Sequence, residues 1–435
     1  MATPESPLHL IVIGGGLCGL SAAIATRIAG HNVTVLETVP AFREVGAGLQ
    51  ITPNGTRLLK AWGLADTLGP QAAAPKYFRM RRYNGDLLAE RTAYIEEIEG
   101  RYGSPLWCLH RADLQAAMAE KAEELGVVIK LGCKVERVDW GKEQARGQEQ
   151  EEAEVSVSIE GGEEVRGDVV LAADGIWSET RQSLLGKEVR PKPTGDLAYR
   201  ILLDRESIKD DKLRAWLDSP GINIWVGPEV HAVGYSIKGG RWLNVVLLVK
   251  DNLPEDVMKA EGDLAEMKAI FQNWDPVLTR FLGHVEKVDK WRLNYLEPLP
   301  FWKSKSGRFL LAGDCAHPML PYMAQGANSS LEDGATIGAL LSKVKRRDQI
   351  GAAMAMYDSI RRPRIDQLVQ ETFKQGKEHH LADGPEQVKR DFLLSKSFEK
   401  LTSGEKTWTH PKIQPWIYGY DAYAEVEKAY ALHPF

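Results

Sequence analysis

Three segments of the chain combine glycines with acids at spacings that could do chemistry. The first is Gly14-Gly15-Gly16-Leu17-Cys18-Gly19, with Glu37 at the end of the next apolar run. Gly14, Gly16 and Gly19 permit a tight turn and let backbone N–H groups approach a pyrophosphate at a helix N-terminus. Glu37 is placed to accept hydrogen bonds from a ribose 2′-hydroxyl, and its charge opposes a 2′-phosphate. The same glycines could simply pack a helix on a strand. The strand before them, the helix after them and the acid beyond favour a dinucleotide. Cys18 reads as a small packing residue. The second segment is Ala172-Ala173-Asp174-Gly175, followed by Ser178 and Arg181. It ends a strand at an acid, where open sheets bind ligands, or it is an ordinary strand-end turn. The third runs from Gly307 to Pro318 and sets Asp314 at the end of a buried strand, poised toward sugar or ribityl hydroxyls. Gln325-Gly326-Ala327-Asn328 then opens a long helix. Its N-terminus offers N–H groups and a positive dipole end to an electron-rich ring. His317 reads as structural rather than as a base.

The elements that must position these residues follow from apolar periodicity. Residues 8–13 form an unbroken apolar run, as in a strand buried on both faces. A small-residue helix over 17–29 and a strand over 33–36 complete a βαβ unit. Helices are predicted from 52 to about 62 and over 110–125, with strands at 127–131, 134–140 and 169–173. Val155, Val157 and Ile159 alternate with polar residues, as in a half-exposed strand. The charged stretch 141–154 reads as a solvated hairpin tip. From 197 to 250 the texture changes to strand-like runs between Gly and Pro turns, which predicts an antiparallel meander. A helical segment to about 281, a strand over 308–312, a helix over 326–344 and a mostly helical region from 350 to 435 follow.

Composition narrows the function. The chain has 435 residues, 43% of them hydrophobic and 26% charged, and a net charge of −5. It is globular, with length for about three domains, and lacks the basic excess that a nucleic-acid partner requires. Four cysteines without metal spacing indicate neither a disulfide framework nor a metal site, and imply a reducing compartment. The leader through residue 7 has no Lys or Arg, and glycines break the uncharged run 10–26, so neither a signal peptide nor a membrane span is expected. The expected location is cytoplasmic.

The three motifs, in this order, resemble those of the FAD-dependent aromatic hydroxylases, single-component flavoprotein monooxygenases of the para-hydroxybenzoate hydroxylase fold. Arg43-Glu44-Val45-Gly46-Ala47-Gly48-Leu49-Gln50-Ile51-Thr52-Pro53-Asn54 and Leu109-His110-Arg111-Ala112-Asp113-Leu114 are similar to the salicylate-hydroxylase-like branch. The resemblance spans about residues 8 to 370. It implies an α/β fold: a Rossmann-like FAD-binding domain (1–75, 105–185 and 288–370), an inserted antiparallel-sheet substrate domain (76–104 and 186–287) and a helical tail (371–435). It also implies non-covalent FAD and NADPH or NADH as co-substrate.

By position, the resemblance gives Glu37 the adenosine ribose and Asp314 the ribityl and pyrophosphate portion. Gly48 lies in the loop passing the flavin, and Arg111 reaches the cofactor. Asp174 serves both FAD and the nicotinamide donor. Gly326, Ala327 and Asn328 sit by the isoalloxazine, and Pro318 and Pro321 shape the oxygen side. Arg200 and Tyr235 face the substrate: Arg200 holds a phenolate or carboxylate, and Tyr235 hydrogen-bonds it. Residue by residue, a salt bridge and a packed strand tyrosine remain open alternatives. The implied reaction is hydroxylation of a small phenolic molecule with NAD(P)H and O₂ through a flavin C4a-hydroperoxide. Epoxidation, amine oxidation and a non-catalytic binding role on the same fold are the alternatives. The chain departs from the family at Ala324-Gln325-Gly326, where the family often reads Gly-Gln-Gly. It has no Trp-x-Trp-x-x-Pro pattern, which disfavours the halogenases.

Overall fold

The computed structural model describes residues 6–42, 47–141, 154–397 and 413–435. The segment 43–46, part of one family-like block, and most of the expected hairpin tip, 142–153, lie outside the described residues.

The apolar run at the start becomes the strand His9–Ile13, central in a five-stranded parallel sheet. Its neighbours are Asn32–Glu37 on one side and Val169–Ala172 on the other, with Val128–Leu131 and Phe309–Leu311 outermost. Leu10, Ile11 and Val12 are buried because helices and a small three-stranded sheet cover both faces. The helix Leu17–Ile28 is made of small residues because another helix, Gly326–Leu341, lies hard against it. A Cβ on Gly334 would come 2.1 Å from Ser21 Oγ, and one on Gly338 2.5 Å from Ala25. Alanine at either position would therefore force the two helices apart.

A second sheet has eight strands, in the order Lys259–Glu261, Asp289–Tyr295, Lys192–Asp204, Trp242–Lys250, His231–Ile237, Gly221–Val226, Tyr77–Arg82 and Leu87–Arg91. The four strands expected between 197 and 250 are present, and their mutual pairings are antiparallel. The sheet is mixed, however: Gly221–Val226 runs parallel to Tyr77–Arg82, a strand from far earlier in the chain. The expected helix up to 281 is instead the edge strand Lys259–Glu261 and two short helices, Leu264–Ile270 and Pro276–Gly283. Asp263 and Asp275 interrupt the run, each accepting a backbone N–H as an N-cap.

Period-two alternation gives this sheet two different faces. Tyr199, Ile201, Trp225, Leu243, Val245 and Leu247 point to one side, into a core closed by those short helices. Each such buried side chain contributes roughly 1.5–3 kcal/mol. Ala198, Arg200, Val233, Tyr235, Asn244 and Val246 point to the other side, toward the parallel-sheet half. The C-terminal region is helical as expected: Ile350–His379, Pro385–Ser397, Ile413–Tyr418 and Ala422–Leu432. Among the described residues no helix is long and apolar enough to cross a membrane.

Candidate active site

The turn after the first strand is built by close packing. Gly14 has φ +104° and donates its N–H to Leu36 O at 2.8 Å. A Cβ there would sit 2.5 Å from Ala173 O, and one on Gly19 2.0 Å from Gly14 O. Gly16 differs, since a Cβ on it would meet nothing within 4 Å among the described residues. The open side of the turn is therefore at Gly16, which precedes a twelve-residue helix with no side-chain cap. Uncapped N–H groups beside open space suit an anionic group such as a pyrophosphate. Glu37 lies next to the turn. Its Oε2 accepts from Gly15 N–H at 2.6 Å and its Oε1 from Val39 N–H at 3.0 Å.

The side chains of Asp314 and Arg111 make no hydrogen bond or ion pair among the described residues, and Arg111 lines the cavity described below. Protein packed around Asp314 raises its pKa, with Arg111 and His317 opposing. Its side chain is nonetheless exposed, not buried as its strand-end position suggested.

Asp174 is engaged within its own loop. Its Oδ2 accepts from Thr180 Oγ1 at 2.7 Å, tying the loop to the helix Thr180–Leu185, while its Cα backs Gly14. Its Oδ1 is buried without a partner. Arg181, fully buried, donates to the carbonyls of Ile176, Cys315 and Val189. It joins the second motif to the third.

Between the two sheets lies a cavity of about 220 Å³. One wall is the inner face of the large sheet, where Arg200, Val246, Val233 and Ile224 fall in one row across four strands. Tyr235 and Asn244 occupy the next row. The opposite wall is Gly48, Leu49, Gln50, Pro321 and the start of the helix Gly326–Leu341 at Gly326 and Ala327. That sixteen-residue helix also has no side-chain cap. Pro318 does not line the cavity.

The Arg200 side chain makes no hydrogen bond or ion pair among the described residues, and its guanidinium stacks on Trp291 at 4.7 Å. Burial lowers its pKa, Arg111 adds to this, and Tyr235 opposes it. A guanidinium stays charged under such a shift, so the cavity holds an uncompensated cation. Tyr235 is buried, and burial together with Cys108 raises its pKa, Arg200 opposing. It therefore carries its proton and can donate. Gly48 N–H donates to Asn244 Oδ1 at 2.8 Å, while Asn244 Nδ2 is buried without a partner among the described residues. A Cβ on Gly48 would be 2.8 Å from Tyr235 Cε2, so only glycine lets this loop pass.

Asn328 does not face the cavity. Its Oδ1 accepts from Thr52 N–H at 3.0 Å, and its Nδ2 donates to Gln50 O at 3.1 Å and Ala324 O at 2.6 Å. It fastens the Gly48–Ile51 strand to the helix and holds the cavity's shape. Ala324, the departure from Gly-Gln-Gly, adopts φ +54°, the left-handed region that glycine would enter freely.

Beneath this helix is a buried ionic network. Glu332 accepts from Arg361, Arg364 and Asn54. Asp333 accepts from Arg361 at 2.8 Å and from Gly313 N–H at 3.0 Å, and pairs with His317 Nε2 at 2.6 Å. Burial alone would raise the Asp333 pKa, but His317 and Arg361 outweigh it and hold it at about 2. His317 is thus structural, orienting the turn that carries Asp314.

The far end of the cavity holds residues that sequence reading passed over. His231 and His379 line it, with rings 4.9 Å apart, and His231 Nδ1 contacts His380 Nε2 at 2.7 Å. A signal for His231 existed: it stands four residues before Tyr235, hence on the same strand face. None existed for His379 and His380, which arrive from the C-terminal end of a thirty-residue helix.

Comparison with known proteins agrees with this geometry. The family described as FAD binding domain matches residues 8–228 and 266–372. The FAD-dependent monooxygenase OpS4 of Beauveria bassiana (strain ARSEF 2860) is 48% identical over 99% of both chains. The 3-hydroxybenzoate 6-hydroxylase of Polaromonas naphthalenivorans (strain CJ2) is 30% identical over 97% of this chain and 98% of its own. Among solved structures, a salicylate hydroxylase substrate complex shares the fold with a TM-score of 0.77 at 24% identity, covering 98% of each chain. CtdE in complex with FAD and a substrate does so at 0.81 and 21%, also over 98% of each chain. With its uncapped helix N-termini, its open glycine turn and these relatives, the chain belongs to the FAD-dependent aromatic hydroxylases, the single-component flavoprotein monooxygenases.

Proposed function

We propose that the protein hydroxylates a small phenolic molecule, using O₂ and a nicotinamide donor. The observation that carries this reading is the cavity itself, which sets an arginine without an ion-pair partner among the described residues and a protonated tyrosine on one wall against an uncapped helix N-terminus on the other. The turn at Gly14, Gly16 and Gly19 would hold the FAD pyrophosphate. Glu37 would hold that turn and the ribose near it, and Asp314 and Arg111 would take the polyol and the isoalloxazine edge. When bound, FAD supplies the redox chemistry that activates oxygen. Asp174 acts on the cofactor only through the Gly14 turn and Thr180.

The chain's own residues do the rest. Arg200 binds an acidic group of the substrate, phenolate or carboxylate, through its fixed charge and forked donors. Tyr235 donates a hydrogen bond to the same group. Ile224, Val233, Val246, Leu248 and Met323 enclose the ring and exclude water, which strengthens each polar contact. His231, neutral because burial and its histidine neighbours depress its pKa well below the ordinary value, accepts a proton from a substrate hydroxyl. The four cysteines are free, consistent with a reducing compartment.

The test is a screen of phenolic acids against the purified, FAD-loaded protein. One or more should stimulate NADH or NADPH oxidation and yield a product heavier by one oxygen, less CO₂ where a carboxylate is displaced. Stimulated oxidation that yields only hydrogen peroxide with every phenol would refute the reading.

A further inference from the structure

We propose that Asn244 determines substrate specificity: its side-chain amide N–H donates to an acceptor oxygen that the substrate carries beside the group held by Arg200. The proposal rests on the functional reading above and names what the substrate must bring to the cavity. The amide has a fixed orientation. Gly48 N–H donates to it at 2.8 Å, and a backbone N–H can only donate, so the atom it meets is Oδ1. Turning the amide over would set two donors against each other. Asn244 is 1% exposed and lines the cavity, and its Nδ2 has no partner among the described residues. A buried amide N–H left unpaired is costly. Holding the Gly48 loop needs only the oxygen, so the loop does not account for the NH₂ group.

The sheet register sets this donor beside both groups that face the substrate. Asn244 stands directly opposite Tyr235, and Val246, the next residue of its strand on the same face, stands opposite Arg200. Directly opposed side chains lie about 4.5–5.5 Å apart at Cβ, and diagonal ones about 7–8 Å. Arg200, Asn244 and Tyr235 thus occupy neighbouring places on one wall. All three donate. The guanidinium has no acceptor, the buried tyrosine keeps its proton, and the Asn244 oxygen is taken by Gly48. No Asp or Glu side chain lines the cavity among the described residues. The acceptors must therefore come from the ligand.

The hydrogens on offer define the ligand's chemistry. The guanidinium fork gives two, Tyr235 gives one and Asn244 gives at least one. A single phenolate oxygen cannot accept all of these in good geometry. Two adjacent oxygens sharing one negative charge can. Two kinds of group carry that pattern: a carboxylate, and a phenolate next to a carbonyl. Arg200 and Tyr235 take the charged oxygen, and Asn244 takes its neighbour. The row beside them, Val246, Val233 and Ile224, is apolar and offers no second place for the oxygens. A site that meets a polar atom with a buried donor rejects the analogue lacking that atom, because the donor is then left unpaired.

Binding is read without turnover, from the change in flavin absorbance as the FAD-loaded protein is titrated. The probes are 3-hydroxybenzoate, which brings a carboxylate, 2-hydroxyacetophenone, which brings a carbonyl beside its phenol oxygen, and 2-ethylphenol, in which CH₂ replaces that carbonyl. At least one of the first two should bind the parent about tenfold tighter than 2-ethylphenol, and which one does so identifies the source of the oxygens. Asn244→Leu, of similar volume, should weaken that probe about tenfold and 2-ethylphenol by less than about twofold. Equal losses for both would show that Asn244 merely holds the Gly48 loop, and loss of the flavin would give its amide to the cofactor. Either result overturns the proposal, as does a parent that binds the three probes equally or binds none. A second measurement serves if Asn244→Leu does not fold. It uses the FAD-loaded parent carrying ¹⁵N-asparagine, with the Asn244 NH₂ identified by its absence in Asn244→Asp, which keeps the acceptor for Gly48. The favoured probe should move these signals downfield, as hydrogen bonding does, and 2-ethylphenol should not; signals that stay in place overturn the proposal. A protein that binds the probes as expected yet hydroxylates no phenol fails the functional reading and leaves the Asn244 assignment standing.

Discussion

Arg200→Ala separates what the cavity needs for folding from what it needs for substrate. Among the described residues the Arg200 side chain has no hydrogen bond or ion pair to lose, only its stacking on Trp291 at 4.7 Å. Such a contact is worth about 0.5–2 kcal/mol, and removing the charge also ends its desolvation penalty. The two terms oppose, so the variant's thermal stability should equal or exceed that of the parent. With substrate bound the balance reverses. Two opposite charges about 4 Å apart interact by about 4 kcal/mol at an effective dielectric of 20. Desolvation of the anion returns part of that, leaving about 2–4 kcal/mol, or roughly 30- to 1000-fold in kcat/KM. Flavin content should not change, because Arg200 stands outside all three cofactor motifs. Arg200→Lys should recover part of the activity, since a point charge lacks the fork. The assay combines thermal unfolding, flavin absorbance and steady-state product formation with an active phenol. A variant that loses its flavin would place Arg200 in the cofactor site or the fold. One that hydroxylates at the parent rate would refute the assignment.

Three further outcomes are expected. Gly16→Ala should leave the unfolding midpoint of the FAD-free protein unchanged but weaken FAD binding, whereas Gly19→Ala, with its Cβ 2.0 Å from Gly14 O, should destabilise the protein itself; equal stability losses would show that Gly16 is packed rather than open. Glu37→Ala removes a charged acceptor from two backbone N–H groups, each such bond worth about 1.5–3 kcal/mol at most, so it should lower stability without FAD, while Asp314→Ala should lower only FAD affinity, by about tenfold; differential unfolding and flavin titration distinguish them, and an Asp314→Ala protein that unfolds early would contradict its exposed, unpaired placement. Asp333 is held at about 2 against an ordinary value near 3.8, so its contribution of about 2 kcal/mol is present above roughly pH 4 and lost as pH falls toward 2; denaturant unfolding across that range should show the slope, and Asp333→Asn, less stable at neutral pH, should lack it.

The glycine turn and the acid beside it were legible in the sequence because their chemistry is local. A strand, a glycine turn, a helix and an acid sit within one βαβ unit, and each demands its residue type on the spot. Apolar periodicity likewise revealed the buried parallel strands and the alternating strands of the second sheet, since periods of two and 3.6 are written in consecutive residues. What the local pattern omits is pairing between distant segments. The parallel contact of Gly221–Val226 with Tyr77–Arg82 and the burial of Arg361 and Arg364 against Glu332 join residues whose own neighbours say nothing of the other partner. The same holds for Asp314, whose buried strand foretold burial while the cleft left its side chain open, and for Asn328, whose amide is taken by the backbone of the Gly48–Ile51 strand and not by the cavity. The sequence by itself determined the glycine turn, the fold class and the strands that bear Arg200 and Tyr235. Only the tertiary structure decided that the Arg200 side chain has no ion-pair partner among the described residues, that His231 shares its wall, and that a helix ending at His379 closes the far end, because such meetings depend on which sheet faces and helix ends come together in space.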